Sequence, residues 1–141
     1  MISQKFWEAI VLARVLLKFS GDIVDKPVTA EVILEKCVPI NILAAHIDQQ
    51  GGKILVEIPQ THLESILEAF HKRGVTAEIH RSVKVDDKKC LDCGSCYSLC
   101  PANAIAFSED FSVVFDKEKC LGDTCLLCVD SCPVRAIKLA E

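Results

Sequence analysis

The sequence predicts an α+β protein in two parts: a β-α-β-β-α-β sandwich over residues 1–81 and a small cysteine-rich domain over residues 82–141. Three observations predict it. Apolar residues alternate along four short stretches and recur at helical spacing in two others, in the order strand, helix, strand, strand, helix, strand. Of the 9 cysteines, all but Cys37 fall between Cys90 and Cys132. Apolar residues make up 50% of the chain, enough to bury a core. The joint falls near residues 81–87, RSVKVDD, a short polar stretch.

In the first strand Val15, Leu17 and Phe19 alternate with Leu16 and Lys18. Gly21-Asp22 makes a turn, and Pro27 suits the first position of a helix, where its missing N–H costs nothing. Ala30, Ile33, Leu34 and Cys37 follow as one apolar stripe, and Pro39 ends the helix. Residues 40–47 read as the second strand. Gly51-Gly52 supplies the positive φ of a tight connection, and Ile54, Val56 and Ile58 form the inner face of the third strand. Thr61 and Glu64 are spaced as a capping box for a second helix, in which Leu63, Ile66, Leu67 and Phe70 share a face. Gly74 can end it in a left-handed conformation. Val75, Ala77 and Ile79 alternate as the fourth strand. This order is the split arrangement of a ferredoxin-like sandwich, a name that describes a fold and implies no cluster.

Bulk properties exclude some partners. The 16 basic and 20 acidic residues give a net charge of −4, with no basic tract, so nucleic acid is not expected. The opening MISQKFWEAIVLARVLLKFS is apolar but broken by Glu8, Arg14 and Lys18, and has neither a membrane-span nor a signal-peptide layout. The expected location is cytoplasmic. Thiols stay reduced there, so the clustered cysteines point to metal rather than disulfides.

The run CLDCGSCYSLCP places Cys90, Cys93, Cys96 and Cys100 in the C-x2-C-x2-C-x3-C-P spacing of bacterial-type ferredoxins. Three thiolates three residues apart can wrap one cubane, and the fourth, Cys100, beyond a wider gap and followed by Pro101, points to a neighbouring cluster. Gly94 and Ser95 are small enough to let backbone amides approach. The second run, CLGDTCLLCVDSCP, has four residues between Cys120 and Cys125 where two are expected. Aligned by its end it is a repeat of the first: Cys93/Cys125, Cys96/Cys128, Cys100/Cys132, Pro101/Pro133, Ala104/Ala136 and Ile105/Ile137 share an offset of 32. Only Cys90/Cys120 slips. Lengthening a loop between ligands costs only about 0.6 kcal/mol per doubling, so the second run is expected to hold a cluster too. A plant-type [2Fe–2S] site would need a further cysteine downstream, and none follows Cys132. Zinc is the rival metal, but doubled triplets of cysteine at a three-residue period do not suit two tetrahedral sites. A single-cluster protein, with the inserted site degraded or holding [3Fe–4S], is the other alternative. Residues 105–107 and 113–115 are expected to pair as a hairpin across Ser108-Glu109-Asp110, keeping water off the metal.

Two resemblances follow from these motifs. Asn41-Ile42-Leu43, within VPINILAAHIDQQGGKILVEI, resembles the NIL domain, an ACT-like module, over roughly residues 12–80. That resemblance implies a methionine-like ligand and pairing with a second copy. Residues 86–138 resemble a two-[4Fe–4S] bacterial-type ferredoxin. That resemblance assigns Cys90, Cys93, Cys96 and Cys132 to one cluster and Cys120, Cys125, Cys128 and Cys100 to the other. The fused layout resembles the small iron–sulfur subunit of an archaeal system that makes homocysteine by reductive sulfur transfer to aspartate semialdehyde. It implies a redox partner enzyme, a sulfurtransferase large subunit that carries the substrate site, and no catalytic residue in this chain. The alternative is a general low-potential ferredoxin whose NIL half senses methionine or a related small molecule.

Other residues have plainer expected roles. Cys37 is expected to pack in the core. His46, His62, His71 and His80 show no ligand spacing, Tyr97 is expected to pack, and Asn41 to satisfy backbone groups at a turn or sheet edge. Leu16, Leu43 and Leu55 fall on the strand faces opposite the helices and are expected to form a patch covered by a second chain or by the cysteine-rich half.

Overall fold

The structure, a computed structural model, is described here over residues 10–141. The reading of the opening apolar stretch falls partly on residues 1–9, outside the described residues. The described chain divides after His80 into two compact units. It is a mixed α/β protein with small helices and antiparallel sheets. Among the described residues no helix is long and apolar enough to cross a membrane.

In the first unit, β1 (Leu12–Ser20), α1 (Val28–Lys36), β2 (Asn41–Asp48), β3 (Gly51–Pro59), α2 (Leu63–Lys72) and β4 (Thr76–Ile79) follow the expected order. The sheet runs β2-β3-β1-β4 with every neighbour antiparallel. Period two sends Val15, Leu17, Ile54, Val56 and Ile58 to the helix-covered face, where they pack with Val28, Val32, Ile66 and Phe70. Gly51 has φ 152°, and a Cβ there would lie 2.6 Å from the Phe19 carbonyl oxygen, so glycine is required where the hairpin returns beside β1. The Gly74 φ of 82° closes α2, with the Val75 N–H donating to the Phe70 carbonyl at 3.0 Å. Arg73, in turn, donates to Glu31, Glu35 and the Ala69 carbonyl, tying the end of α2 to α1. Its guanidinium holds the Glu35 carboxyl below the usual carboxylate range.

Four expectations need correction. The buried face of α1 is Val28 and Val32, with Ile33 half-buried; Ala30 is exposed and Leu34 is 77% exposed. Apolar residues lie on several sides of this helix, so periodicity alone selects the wrong stripe. Cys37 is exposed, because the helix ends at Lys36 and Cys37 turns left-handed at φ 52°, its thiol donating to the Leu34 carbonyl. No capping box forms at Thr61: a 3-10 turn over Gln60–His62 leads into α2, and no side chain caps it. Leu16 and Leu55 pair across β1 and β3 and are 1% and 0% exposed, and Leu43 is half-buried at a bulge in β2, so this leucine face is covered, in line with the expectation. Asn41 donates to Glu57, which also receives Arg14, so it ties two strands through a side chain rather than through backbone.

In the second unit the expected hairpin forms: β6 (Ile105–Phe107) pairs with β7 (Val113–Phe115). The stretch read as a polar joint contains a strand, β5 (Val83–Val85), which pairs with β8 (Ile137–Leu139). Its signal was only two valines flanking a lysine. The short helix α3 (Leu127–Ser131) completes the unit, in which Val83, Cys96, Ile105 and Ile137 pack together as a buried cluster.

Candidate metal centre

The second unit is built twice. Before the insertion, structural equivalents are 30 residues apart; after it they are 32 apart. Thus Val85 faces Ile137 while Phe115 faces Ile105. The Asp86 N–H donates to the Ala136 carbonyl at 2.8 Å, and the Asp116 N–H to the Ala104 carbonyl at 2.7 Å. Left-handed residues repeat as well: Asp92 and Gly122 at φ 51° and 54°, Gly94 and Leu126 at 74° and 55°, Asn103 and Arg135 at 50° and 51°. A pseudo-two-fold therefore relates the two cysteine runs down to their backbone conformation.

This symmetry produces two cavities of similar size. One is lined by Cys90, Cys93, Cys96 and Cys132. The other is lined by Cys100, Cys120, Cys125 and Cys128, and both are partly open to solvent. Each contains three cysteines of one run and the last cysteine of the other. Val85, Val113 and Ile137 complete the first, and Val83, Ile105 and Leu126 the second. Among the described residues no three Cys, His, Asp or Glu side chains converge closely enough for a single metal ion.

The donor pattern also fits. The Ala104 N–H donates to Cys100 Sγ at 3.3 Å, and the Ala136 N–H to Cys132 Sγ at 3.3 Å. The Gly122 N–H reaches Cys120 Sγ at 3.4 Å, and Ser95 Oγ lies 3.5 Å from Cys93 Sγ. Hydrogen bonds to sulfur stabilise the thiolate form that binds iron. Burial, then the neighbouring thiols, push Cys96 up and Cys128 up to about 11. The Ser95 hydroxyl acts the other way and lowers Cys93.

The insertion is absorbed locally. Gly122–Thr124 forms a 3-10 turn, the Cys125 N–H donating back to the Gly122 carbonyl and Thr124 Oγ1 to the Leu121 carbonyl. Asp123 within it, 13% exposed, pairs with Arg81 at 3.3 Å. Four features of the site were not anticipated: this ion pair, Ser95 as a hydroxyl donor, Asp92 beside Cys90, and the β5·β8 pair. Tyr97 packs as expected, its ring centroid 5.2 Å from that of Phe107. All four histidines belong to the first unit.

Gly94 offers a direct test of the first cavity. Its φ is 74°, and a Cβ there would stand 2.6 Å from Phe107 Cζ. Gly94→Ala combines a backbone cost of about 1–2 kcal/mol with displacement of the ring beside Cys93. Bound iron is expected to fall towards half in Gly94→Ala. It should stay unchanged in Gly74→Ala, where φ is 82° and nothing lies within 4 Å.

The first unit has a cavity of its own, about 440 Å³, between α2 and the β1–β4 edge. Val15, Ala77 and Ile79 floor it, Leu63 and Leu67 roof it, and Gln60 stands at its end.

Comparison with known proteins agrees with this division. Residues 83–139 match the family described as 4Fe-4S dicluster domain, and residues 13–79 match the NIL domain. Over 107 residues the chain is 36% identical to the L-aspartate semialdehyde sulfurtransferase iron–sulfur subunit of Methanocaldococcus jannaschii, covering 74% of this chain and 82% of that one. It is 33% identical over 94 residues to the protein of the same name from Methanosarcina acetivorans, covering 66% and 72%. Over 53 residues it is 42% identical to pyruvate synthase subunit PorD of M. jannaschii, covering 38% of this chain and 59% of that one.

Proposed function

Because the chain belongs to the family of L-aspartate semialdehyde sulfurtransferase iron–sulfur subunits, we propose that it is the electron-delivering subunit of such an enzyme, working beside a larger catalytic subunit in homocysteine and methionine biosynthesis. It is an iron–sulfur electron-transfer protein of the ferredoxin type, with two [4Fe–4S] clusters as cofactors. The observation that carries the reading is the pair of cavities with crossed cysteine sets. On it, Cys90, Cys93, Cys96 and Cys132 hold one cluster, and Cys100, Cys120, Cys125 and Cys128 hold the other. When bound, the clusters supply reversible one-electron chemistry. The chain's own residues fix eight thiolates, donate N–H and O–H groups to the sulfurs, and exclude water with Val83, Val85, Ile105 and Ile137. The chemistry on the organic substrate belongs to the partner, and the cytoplasm is the fitting compartment.

Anaerobic affinity purification of the tagged chain from its own cells tests this. A large subunit in about equal amount is the expected result. Recovery of the chain alone, with its iron in place, would sink the dedicated-subunit reading.

The first-unit cavity favours a second reading, in which a methionine-like molecule binds there and adjusts partner choice. Its volume lies within the ~300–1,000 Å³ usual for small-molecule sites, and its lining is mostly apolar. A calorimetric titration of the full chain with methionine is expected to show saturable binding; a flat titration would remove this reading. Pairing with a second copy would use the edge strand β2, where Ile42 and Ile47 are 51% and 55% exposed.

A further inference from the structure

We infer that the face formed by the first cysteine run and the β6–β7 hairpin, around the exposed Cys93, is the surface on which the redox partner docks, and that it takes a partner patch with an apolar centre and a rim of Lys or Arg. This rests on the electron-transfer reading proposed above and deepens it, naming the site through which electrons pass and the chemistry of the surface opposite.

Exposed apolar side chains are not spread evenly over the second unit. Of its seven large apolar residues that are exposed, six lie between Leu91 and Val114, and only Leu127 lies elsewhere. Three contacts hold the run against the hairpin. Tyr97 and Phe107 stack with ring centroids 5.2 Å apart, a Cβ on Gly94 would stand 2.6 Å from Phe107 Cζ, and the Val113 N–H donates to Asp92 Oδ1 at 2.9 Å. The two segments therefore present one continuous surface. Leu91, Tyr97 and Phe107 are exposed on it, and so is Cys93, which lies between Leu91 and Tyr97 in the chain. A concentrated patch of this kind marks an interaction site.

The hairpin tip points the same way. Phe111 is 77% exposed and left-handed, at φ 64°, a conformation that disfavours a bulky side chain. Every other left-handed residue of the unit has its counterpart in the repeat, and Phe111 has none. The ring gains no burial in return, and a partner that covers it supplies the gain. Hydrogen bonds fix the tip: Asp110 Oδ1 accepts the Ser108 hydroxyl and the Ser112 N–H, and the Phe111 N–H donates to the Ser108 carbonyl at 3.0 Å. The same donors hold the Asp110 carboxyl below its usual range.

Charge defines the partner. Between Cys90 and Asp116 the chain has no Lys, Arg or His, while Asp92, Glu109 and Asp110 are exposed acids. Lys88 and Lys89, in the turn ahead of the run, are accompanied by Asp86 and Asp87. A second copy would bring Glu109 and Asp110 against the same acids, and like charges in contact are disfavoured. A cationic rim around an apolar centre complements the surface. Cys93 then lies under the interface, and one electron passes between the Cys90–Cys93–Cys96–Cys132 site and the partner's acceptor. One is oxidised as the other is reduced, and no bond or proton changes place.

The test is stopped-flow oxidation of the reduced holoprotein, freed of excess dithionite, by a basic c-type cytochrome, with benzoquinone as a small acceptor that needs no docking. Glu109→Lys reverses one charge at the tip. Phe111→Asn removes the ring and keeps a residue that tolerates the left-handed backbone. Each is expected to slow the cytochrome reaction about tenfold at low salt and to leave the quinone rate unchanged. Glu118→Lys makes the same charge change past the end of β7, away from the tip, and should leave both rates unchanged. Equal cytochrome rates in wild type, Glu109→Lys and Phe111→Asn, or an equal loss in Glu118→Lys, would overturn the inference. So would a sedimenting dimer that Phe111→Asn dissociates, which would give the face to a second copy. In the anaerobic purification the large subunit should be lost from Glu109→Lys and kept by Glu118→Lys. Its absence from the wild type, beside the expected cytochrome rates, would end the dedicated-subunit reading and leave this face in place. A protein with about eight irons that passes no electron to the quinone would overturn the electron-transfer reading itself, and this inference with it.

Discussion

Cys100→Ala is expected to abolish the cluster held by Cys120, Cys125 and Cys128, and to leave intact the one held by its own neighbours in sequence. Iron should fall from about eight per chain to about four, and the surviving spectrum should match that of Cys125→Ala. Cys132→Ala should do the reverse, and match Cys93→Ala. The prediction follows from the cavities, since Cys100 lines the space of the second run and Cys132 that of the first. If ligation ran in sequence, Cys100→Ala would instead share its phenotype with Cys93→Ala. Each outcome is read from the same four samples by iron analysis and low-temperature resonance.

The second large effect concerns the other unit. Phe70 is 0% exposed and packs among Val32, Ile58 and Ile66. Phe70→Ala should cost about 3–5 kcal/mol, a large share of the roughly 5–15 kcal/mol that holds a small domain folded. If the two compact units are separate domains, the far-ultraviolet signal of the first should melt early while visible absorption from the clusters persists. Simultaneous loss of both signals at the lower temperature would show that the units fold as one.

Much of this architecture could be read from residue order. Helix α2 has one apolar face, so a single period identifies it, and in β1 and β3 the helix-facing residues recur at period two even though Leu16 and Leu55 bury the other face as well. The pairing of cysteines into crossed sets came from the ferredoxin resemblance, and the cavities group the same residues. The failures have local causes. Helix α1 is apolar on several sides, and the choice of Val28 and Val32 over Leu34 is made by packing, which no periodicity encodes. Thr61 and Glu64 have the spacing of a capping box, but the chain enters α2 through a 3-10 turn. Strand β5 spans three residues, too few for alternation to stand out from a polar stretch. The Asp92 and Ser95 contacts depend on where the backbone turns left-handed, and that becomes visible only once the two runs are superposed.

The β5·β8 pair has a consequence for how the protein is made. The first strand of the second unit is hydrogen-bonded to its last, Val83 against Leu139 and Val85 against Ile137. A nascent chain emerging from the ribosome cannot complete this unit until β8 has cleared the exit tunnel, because Val83 and Cys90 wait for partners about fifty residues later. The first unit, closed by β4, has no such delay. Metal loading thus waits for β8, and eight thiols must stay reduced until that strand arrives.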